Sequence, residues 1–237
     1  MSGHVTLLHP DDTEFPDPEQ ALSDPNGLLA IGGQLTSEWL LRAYHQGIFP
    51  WFDRDDSEPL WWTPDPRAVL FPDEFRISRS LAKRLRRKDY RVTLDTQFAA
   101  VIDGCAQPRR ASPGTWITDQ MKHAYIRLHS LGYAHSVEAW QDDLLVGGLY
   151  GISLGKMFFG ESMFSKLPDA SKVAFATLIQ QLRTWQFELI DCQILNAHLA
   201  SLGAREIPRH QFLARLYQNN TLATRVGKWQ FESGENT

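Results

Sequence analysis

Five consecutive segments between residues 134 and 195 decide the fold class of this chain. Three of them are rich in apolar residues and read AHSVEAWQ (134–141), LLVGGLYGIS (144–153) and KMFFGESMF (156–164). Each is short and bounded by turn-forming residues, which is typical of strands. The helical spacing of Phe175, Leu178 and Leu182 predicts a helix over 171–186, and ELIDCQIL (188–195) then alternates like a strand. Strands that lead into a helix and a further strand predict an α/β (α+β) fold.

The part of the chain before these segments has a different character. Nine of the 13 prolines precede Asp73, and the one convincing helix there, over 37–45, is ended by Gly47. Further helices are predicted over 95–106 and 118–131. We therefore predict a small, loop-rich N-terminal domain over residues 1–67 and a larger α/β domain over residues 68–237.

Composition excludes several classes of protein. The 237 residues are 43% hydrophobic and 22% charged, as in globular proteins, and no apolar run is long enough to span a membrane. The N-terminus is polar and acidic, unlike a secretory signal. Cys105 and Cys192 lie far apart and have no metal-binding or disulfide spacing. We expect a cytoplasmic protein.

Positive charge is concentrated in one segment, RISRSLAKRLRRKDYR (76–91). It carries a net charge of +7, whereas the rest of the chain carries −11. Ile77, Leu81 and Leu85 recur every four residues, which predicts an amphipathic helix with the basic side chains on its outer face. Two interpretations stay open, a solvated helix face and a surface that binds phosphates. The candidate phosphate-binding residues are Arg76, Arg79, Lys83, Arg84 and Arg87.

Familiar nucleotide-binding and nucleophile motifs do not fit the glycine-rich stretch from 147 to 160. Gly155-Lys156 is one residue too close to Gly151 for a phosphate-binding loop, and no G-x-G-x-x-G follows a strand. Ser162 is followed by Phe164 where a nucleophile elbow needs glycine. The histidines lack metal-ligand spacing, so we expect no metal.

Polar residues interrupt two of the predicted strands. Alternation places Leu189, Asp191, Gln193 and Leu195 on one face of the strand 188–195, and Glu161 interrupts the apolar segment 156–164. Buried polar groups need partners, so these side chains bind one another, a helix end or a ligand. A shared cleft and a satisfied structural pair both remain possible. Asn196 and His198 could instead cap the following helix.

Several longer strings carry a resemblance to one family. They are GIFPW (47–51), WWTPDPRAVL (61–70), GESMFS (160–165), LIDCQ (189–193), SLGA (201–204) and EIP (206–208), with PNGLLA (25–30) and GTWIT (114–118) in addition. From about Phe15 to Leu213 the chain resembles the leucyl/phenylalanyl-tRNA-protein transferases.

The resemblance implies a fold and an activity. The implied fold is an acetyltransferase-like (GNAT-like) C-terminal domain that uses no coenzyme A and no other cofactor. The implied reaction moves leucine or phenylalanine from tRNA to the N-terminal arginine or lysine of a protein and marks that protein for degradation. Methionyl-tRNA is a further candidate donor, and we expect a monomer with no membrane partner.

The resemblance also implies roles for residues. Asp191 and Gln193 are the catalytic candidates: Gln193 faces the attacking amine and Asp191 polarises the arrangement. Trp51 and Trp116 resemble the residues that stack on the terminal adenosine. Glu161 and, less strongly, Tyr125 are expected to hold the amino group or the ribose. The remaining substrate-binding candidates are Leu149, Phe158, Met163, Leu178 and Ile190, which form an apolar pocket, and Asn196.

Two alternatives remain at this point, one a binding module and the other an enzyme. A tRNA-binding module without catalysis would explain the basic segment and the tryptophans, but not Asp191 and Gln193. A coenzyme-A-dependent acyltransferase would share the fold, although the R/Q-x-x-G-x-G/A loop that holds the coenzyme's pyrophosphate is not found in the sequence.

Overall fold

The computed structural model describes residues 4–12, 14–52, 57–107 and 117–231. Its first part contains a four-stranded sheet in the order β1-β2-β4-β3, in which β1 and β2 are parallel and the other pairs antiparallel. The elements are β1 (Thr6–Leu8), β2 (Leu28–Gly32), α1 (Ser37–His45), β3 (Phe49–Pro50) and β4 (Leu60–Trp62). Phe15, Trp39 and Trp61 pack their rings together beside this sheet.

The second part is built on a seven-stranded sheet in the order β11-β5-β10-β9-β8-β7-β6. Its only parallel pair among the described residues is β9 with β10. The elements are β5 (Arg67–Leu70), α2 (Arg79–Arg87), β6 (Arg91–Leu94), α3 (Phe98–Ala106), α4 (Asp119–Ser130), β7 (Ala134–Gln141), β8 (Leu144–Leu154), β9 (Met157–Ser165), α5 (Ala170–Thr184), β10 (Leu189–Gln193), α6 (Ala197–Ser201), β11 (Arg205–Ile207) and α7 (Arg209–Asn219).

The order of these elements is that of an acetyltransferase-like domain. A strand, two helices and three antiparallel strands are followed by a helix that crosses over to a parallel strand. The prediction of an α/β fold with a GNAT-like C-terminal part is therefore confirmed. One core cluster contains both Tyr44 of α1 and Tyr125 of α4, so the two sheets share buried contacts. The division into residues 1–67 and 68–237 stays a prediction.

Local sequence explains where the helices α1, α2 and α4 begin. Thr36, Ser78 and Thr118 each precede a helix, and each side-chain oxygen accepts a hydrogen bond from the backbone N–H three residues later. These are N-caps, which satisfy one of the free amide groups of the first turn.

Among the residues that the structure describes, none of the helices combines the length and the apolar character that a membrane span requires.

Three sequence predictions need correction. Strand β10 ends at Gln193 and not at Leu195, and a bulge separates Asp191 from Gln193 in its pairing with β5. Leu189 packs in one core cluster and Leu195 beside the other, so the predicted alternation through Leu195 is wrong. The amphipathic pattern of the basic segment is wrong at Ile77, which precedes α2 and is half exposed.

Strands β9 and β10 separate at their C-terminal ends. Their pairing stops at Phe159 with Asp191. Just beyond, β9 has a bulge at Glu161, because Gly160 and Ser162 pair with consecutive residues of β8. Bulges bend a strand and redirect its side chains. The two bulges open the sheet and turn polar side chains toward the gap.

Candidate active site

The gap between the two strands forms part of a cavity of about 630 Å³. This volume lies in the usual range for small-molecule sites. Apolar residues of the seven-stranded sheet and of α5 line one side of the cavity. Residues that follow α1 line the other side. The lining residues on these two sides are Leu149, Phe158, Met163, Phe175 and Ile190, and Phe49, Pro50 and Trp51.

Glu161 is the centre of the polar end of the cavity. Its Oε1 accepts hydrogen bonds from the Tyr44 hydroxyl at 2.7 Å and from Gln193 Nε2 at 2.9 Å. Its Oε2 accepts one from the Tyr125 hydroxyl at 2.9 Å. Burial raises the pKa of Glu161 to about 7, although the tyrosine and glutamine hydrogen bonds act in the opposite direction. This carboxyl group can therefore gain and lose a proton near neutral pH.

The two tyrosines come from different parts of the chain. Tyr44 lies on α1 and Tyr125 on α4, and their hydroxyl oxygens are 2.6 Å apart. Burial, followed by the nearby Glu161 charge, raises the pKa of both phenols well above the usual value. Both groups stay protonated and act as hydrogen-bond donors.

Asp191 lies beneath the cavity and does not line it. It forms a buried bidentate ion pair with Arg67, with Arg67 Nε 2.8 Å from Oδ1 and Nη2 2.6 Å from Oδ2. The Arg67 guanidinium lies against the rings of Phe49 and Phe212. Asp191 Oδ1 also accepts the backbone N–H of Gln193 at 3.0 Å. This bond holds Gln193 at a left-handed φ of 62° in the bulge.

Most of the predicted site residues meet at this cavity. Eight of them line it: Trp51, Leu149, Phe158, Glu161, Met163, Ile190, Gln193 and Asn196. Tyr125 contacts it through Glu161, and Asp191 through Gln193. Leu178 is buried in the neighbouring core cluster and does not line the cavity, so its placement in the pocket is not supported. Trp116 lies outside the described residues.

The segment after β10 adds two polar residues to the lining. Asn196 is also the N-cap of α6, because its Oδ1 accepts the Leu199 N–H at 2.9 Å. His198 lines the cavity, and burial, with a smaller effect of Lys172, lowers its pKa. Burial raises the pKa of Cys192, another lining residue, so its thiol stays protonated and is a poor nucleophile.

Sequence reasoning missed four important residues. Arg67, Tyr44, Tyr150 and Phe175 were not assigned to the site, although Arg67 lies in a quoted string and Phe175 in a recognised helix. A polar residue inside an apolar segment is a usable signal for Arg67, the buried partner of Asp191. No local pattern distinguishes Tyr44 or Tyr150 from an ordinary core tyrosine.

The basic residues of α2 differ in how freely they can bind. Arg84 and Arg87 are 2.6 and 3.3 Å from Asp89. Arg79 and Lys83 are exposed and form no ion pair with any described residue. Arg76 is also exposed, and its backbone N–H donates to Leu202 beside α6. The sequence prediction that these side chains contact tRNA stays a prediction.

Strands that separate around an apolar cavity, in a sheet of this topology, define an acetyltransferase-like fold with a binding site between the strands. Two family models match the chain: "Leucyl/phenylalanyl-tRNA protein transferase N-terminal domain" over residues 33–65 and "Leucyl/phenylalanyl-tRNA protein transferase" over residues 69–217. The protein of that name from Stutzerimonas stutzeri is 59% identical over 213 residues, which cover 90% of this chain and 93% of the relative. The one from Nitrosospira multiformis is 56% identical over 222 residues, which cover 93% and 95%. The chain belongs to the leucyl/phenylalanyl-tRNA-protein transferase family and is an aminoacyltransferase.

Solved structures give weaker similarities. L-PGS from Bacillus licheniformis matches with a TM-score of 0.39 at 15% identity, over 71% of this chain and 54% of that one. The C-terminal domain of a putative lysylphosphatidylglycerol synthetase from Agrobacterium fabrum matches with a TM-score of 0.36 at 16% identity, over 80% of this chain and 58% of that one.

The described residues contain no group of three or more His, Cys, Asp or Glu that could hold a metal ion.

Proposed function

We propose that this chain transfers a leucyl or phenylalanyl group from tRNA to the N-terminal arginine or lysine of a protein in the cytosol, and so marks that protein for degradation. The observation that carries the proposal is the apolar cavity that ends on the Glu161–Gln193 pair. An apolar amino acid side chain fits the Leu149, Phe158 and Met163 side. Its ester group then lies at the polar end.

The reaction needs few parts, because an aminoacyl ester is already activated toward amines. The acceptor α-amine attacks the ester carbonyl carbon, a C–N bond forms, and the C–O bond to the ribose breaks. One proton leaves the amine and one joins the departing ribose oxygen. The protein has to orient the two substrates and move these protons.

The geometry supports distinct roles for three polar residues. Gln193 gives an N–H to Glu161, so its amide oxygen is free to accept a hydrogen bond from the amine. Glu161 is the better proton acceptor, because an amide is a very weak base and this carboxyl has a pKa of about 7. Asp191 acts as a positioning residue, since it touches Gln193 and Arg67 and not the cavity.

The protein would bind the tRNA at two places, its terminal adenosine and its acceptor stem. Trp51 is exposed at the cavity edge and packs against Trp62 at 5.7 Å, which offers a ring face to the terminal adenosine. With Trp116 it would read no base sequence, as suits an end common to all tRNAs. Arg79 and Lys83 would attract the phosphates of the acceptor stem.

One transfer assay tests this function. Radiolabelled leucyl-tRNA is mixed with a peptide that begins with arginine, with the same peptide beginning with lysine, and with matched peptides beginning with glutamate or alanine. We expect label in the arginine and lysine peptides only. Equal labelling of all four peptides would contradict the acceptor specificity, and no labelling of any would contradict the proposed function.

A further inference from the structure

The hydroxyl of Tyr150 is a buried polar group that has no partner among the described residues. Tyr150 lies on β8, has no exposed surface and lines the cavity. Its oxygen accepts and donates no hydrogen bond within the part of the chain that the structure describes. Buried polar groups are almost always bonded, and exceptions in a binding site commonly await a ligand or a water.

Its neighbours make this exception more informative. Tyr125 packs edge-on against the Tyr150 ring at 5.5 Å, yet its hydroxyl, like that of Tyr44, bonds Glu161. Three tyrosines therefore surround one carboxylate, and only two of them bond it. Burial, and next the Glu161 charge, raise the pKa of the Tyr150 phenol well above its usual value. Tyr150 stays protonated and offers one O–H to whatever enters the cavity.

The position of an aminoacyl ester follows from its own chemistry. The amino acid side chain and the ester carbonyl are joined through one carbon atom. If the side chain occupies the apolar lining around Leu149, the carbonyl lies where that lining gives way to polar groups. Tyr150 follows Leu149 on β8, so its side chain points to the opposite face of the strand, toward Tyr125, whose hydroxyl bonds Glu161 at this polar end.

We propose that Tyr150 is a catalytic residue whose hydroxyl donates a hydrogen bond to the ester carbonyl oxygen as that oxygen becomes negatively charged. This inference rests on the proposed function and deepens it. The amine nitrogen adds to the carbonyl carbon, the C=O electron pair moves to the oxygen, and Tyr150 stabilises that oxyanion without giving up its proton. When the pair returns, the C–O bond to the ribose breaks. A fixed donor aimed at developing charge is among the strongest aids to acyl transfer.

The test compares two unreactive analogues on the wild type and on Tyr150→Phe. In one, leucine is joined to 3′-amino-3′-deoxyadenosine by an amide, which keeps a planar carbonyl. In the other, a tetrahedral phosphorus with an anionic oxygen replaces that carbonyl carbon. We expect Tyr150→Phe to weaken binding of the tetrahedral analogue by about 10² and of the planar one by less than about 3-fold. In steady-state assays, kcat should fall by about 10²–10³ while KM for leucyl-tRNA stays nearly unchanged.

Matched controls make the outcome decisive. Tyr150→Phe removes an unbonded hydroxyl, so its Tm should equal or exceed that of the wild type, and a lower Tm would contradict the absence of a partner. Tyr217→Phe, which removes an exposed hydroxyl on α7, should leave both affinities unchanged. Equal losses for both analogues, or full activity of Tyr150→Phe, would overturn the proposal. Failure of the wild type to transfer leucine would instead contradict the proposed function.

Discussion

Arg67 and Asp191 form a bidentate ion pair in which neither side chain has exposed surface, although the two residues are 124 positions apart in the sequence. The pair joins β5 to β10 directly beneath the cavity. Because Asp191 also fixes the backbone of Gln193, the ion pair links the stability of the sheet to the geometry of the site.

Replacing one partner of this pair should be costly. Arg67→Met leaves the Asp191 charge buried and alone, and we expect it to lower the free energy of unfolding by about 3–5 kcal/mol. The double variant Arg67→Met, Asp191→Leu should regain part of that stability, because an apolar pair avoids desolvation of both charges. Denaturant unfolding measures both.

The double variant also separates folding from chemistry. It still lacks the acceptor for the Gln193 N–H, so transfer should remain slow even where the protein is folded. Recovery of wild-type turnover together with stability would show that Asp191 has no positioning role.

The acid side of the pH–rate profile should report on Glu161. Burial raises the pKa of Glu161 in the folded protein to about 7, so its carboxyl group stays protonated between about pH 4.5 and 7. The charged form, which can accept a proton from the amine, becomes populated as the pH rises through 7. Tyr44→Phe removes a hydrogen bond that lowers this pKa. Its acid limb should move to higher pH, as measured by kcat over pH 5.5–9.

The acceptor amine also titrates in this range, but it is the same in every variant. A shift between proteins therefore belongs to the protein. Tyr217→Phe serves as the control and should keep the wild-type limb. An unchanged limb in Tyr44→Phe would exclude Glu161 as the titrating group.

The apolar lining should set the preference among amino acids. Met163 is part of the cavity wall. Met163→Ala should lower kcat/KM for phenylalanyl transfer, which corresponds to a rise in activation free energy of at most about 2–5 kcal/mol. Phe158→Ala should act in the same direction. Competition between leucyl- and phenylalanyl-tRNA gives the ratio directly.

Leu178→Ala is the matched control for this prediction. Leu178 is buried but does not line the cavity, so its loss should destabilise the fold and leave the leucine-to-phenylalanine ratio unchanged. If Leu178→Ala alters the ratio as much as Met163→Ala, the pocket is not the one described.

The basic helix α2 should contribute salt-dependent affinity. Arg79 and Lys83 are exposed, and removing each side chain that binds a phosphate should lower the slope of log affinity against log salt by about 0.7–0.9. The Arg79→Ala, Lys83→Ala variant should show this for leucyl- and phenylalanyl-tRNA alike. Arg84→Ala should have less effect, since Arg84 already pairs with Asp89.

A second double variant removes the same charge elsewhere. Arg127 and Lys228 are exposed outside α2, and replacing both by alanine should keep the original slope. Equal slopes for the two double variants would mean that α2 is only a solvated surface.

Sequence periodicity predicted the long elements and the short strand β10, and missed the other short strands. Helices α4 and α5 and strands β7 to β9 span eight residues or more, and their patterns gave them within a few residues. Strands β1 to β6 and β11 have two to five residues each, which is too few for a period to be visible. Their existence depends on partners that are distant in the sequence.

The site was predicted in the same uneven way. Glu161, Asp191 and Gln193 stood out because polar residues interrupt apolar strands, and burial demands partners for them. Tyr44 and Arg67 could not be identified as partners, since they lie 117 positions from Glu161 and 124 positions from Asp191. The bulge at Gln193 also breaks the alternation from which a shared face was predicted.

The most direct test of the account is the single-turnover rate of leucyl transfer to an arginine peptide by Gln193→Ala, measured beside its Kd for leucyl-tRNA. Gln193 lines the cavity and bonds Glu161, so its loss should slow transfer by about 10²–10⁴ while Kd changes by less than about 3-fold. A loss of binding equal to the loss of rate, or a rate like that of the wild type, would contradict a catalytic role for the Glu161–Gln193 pair.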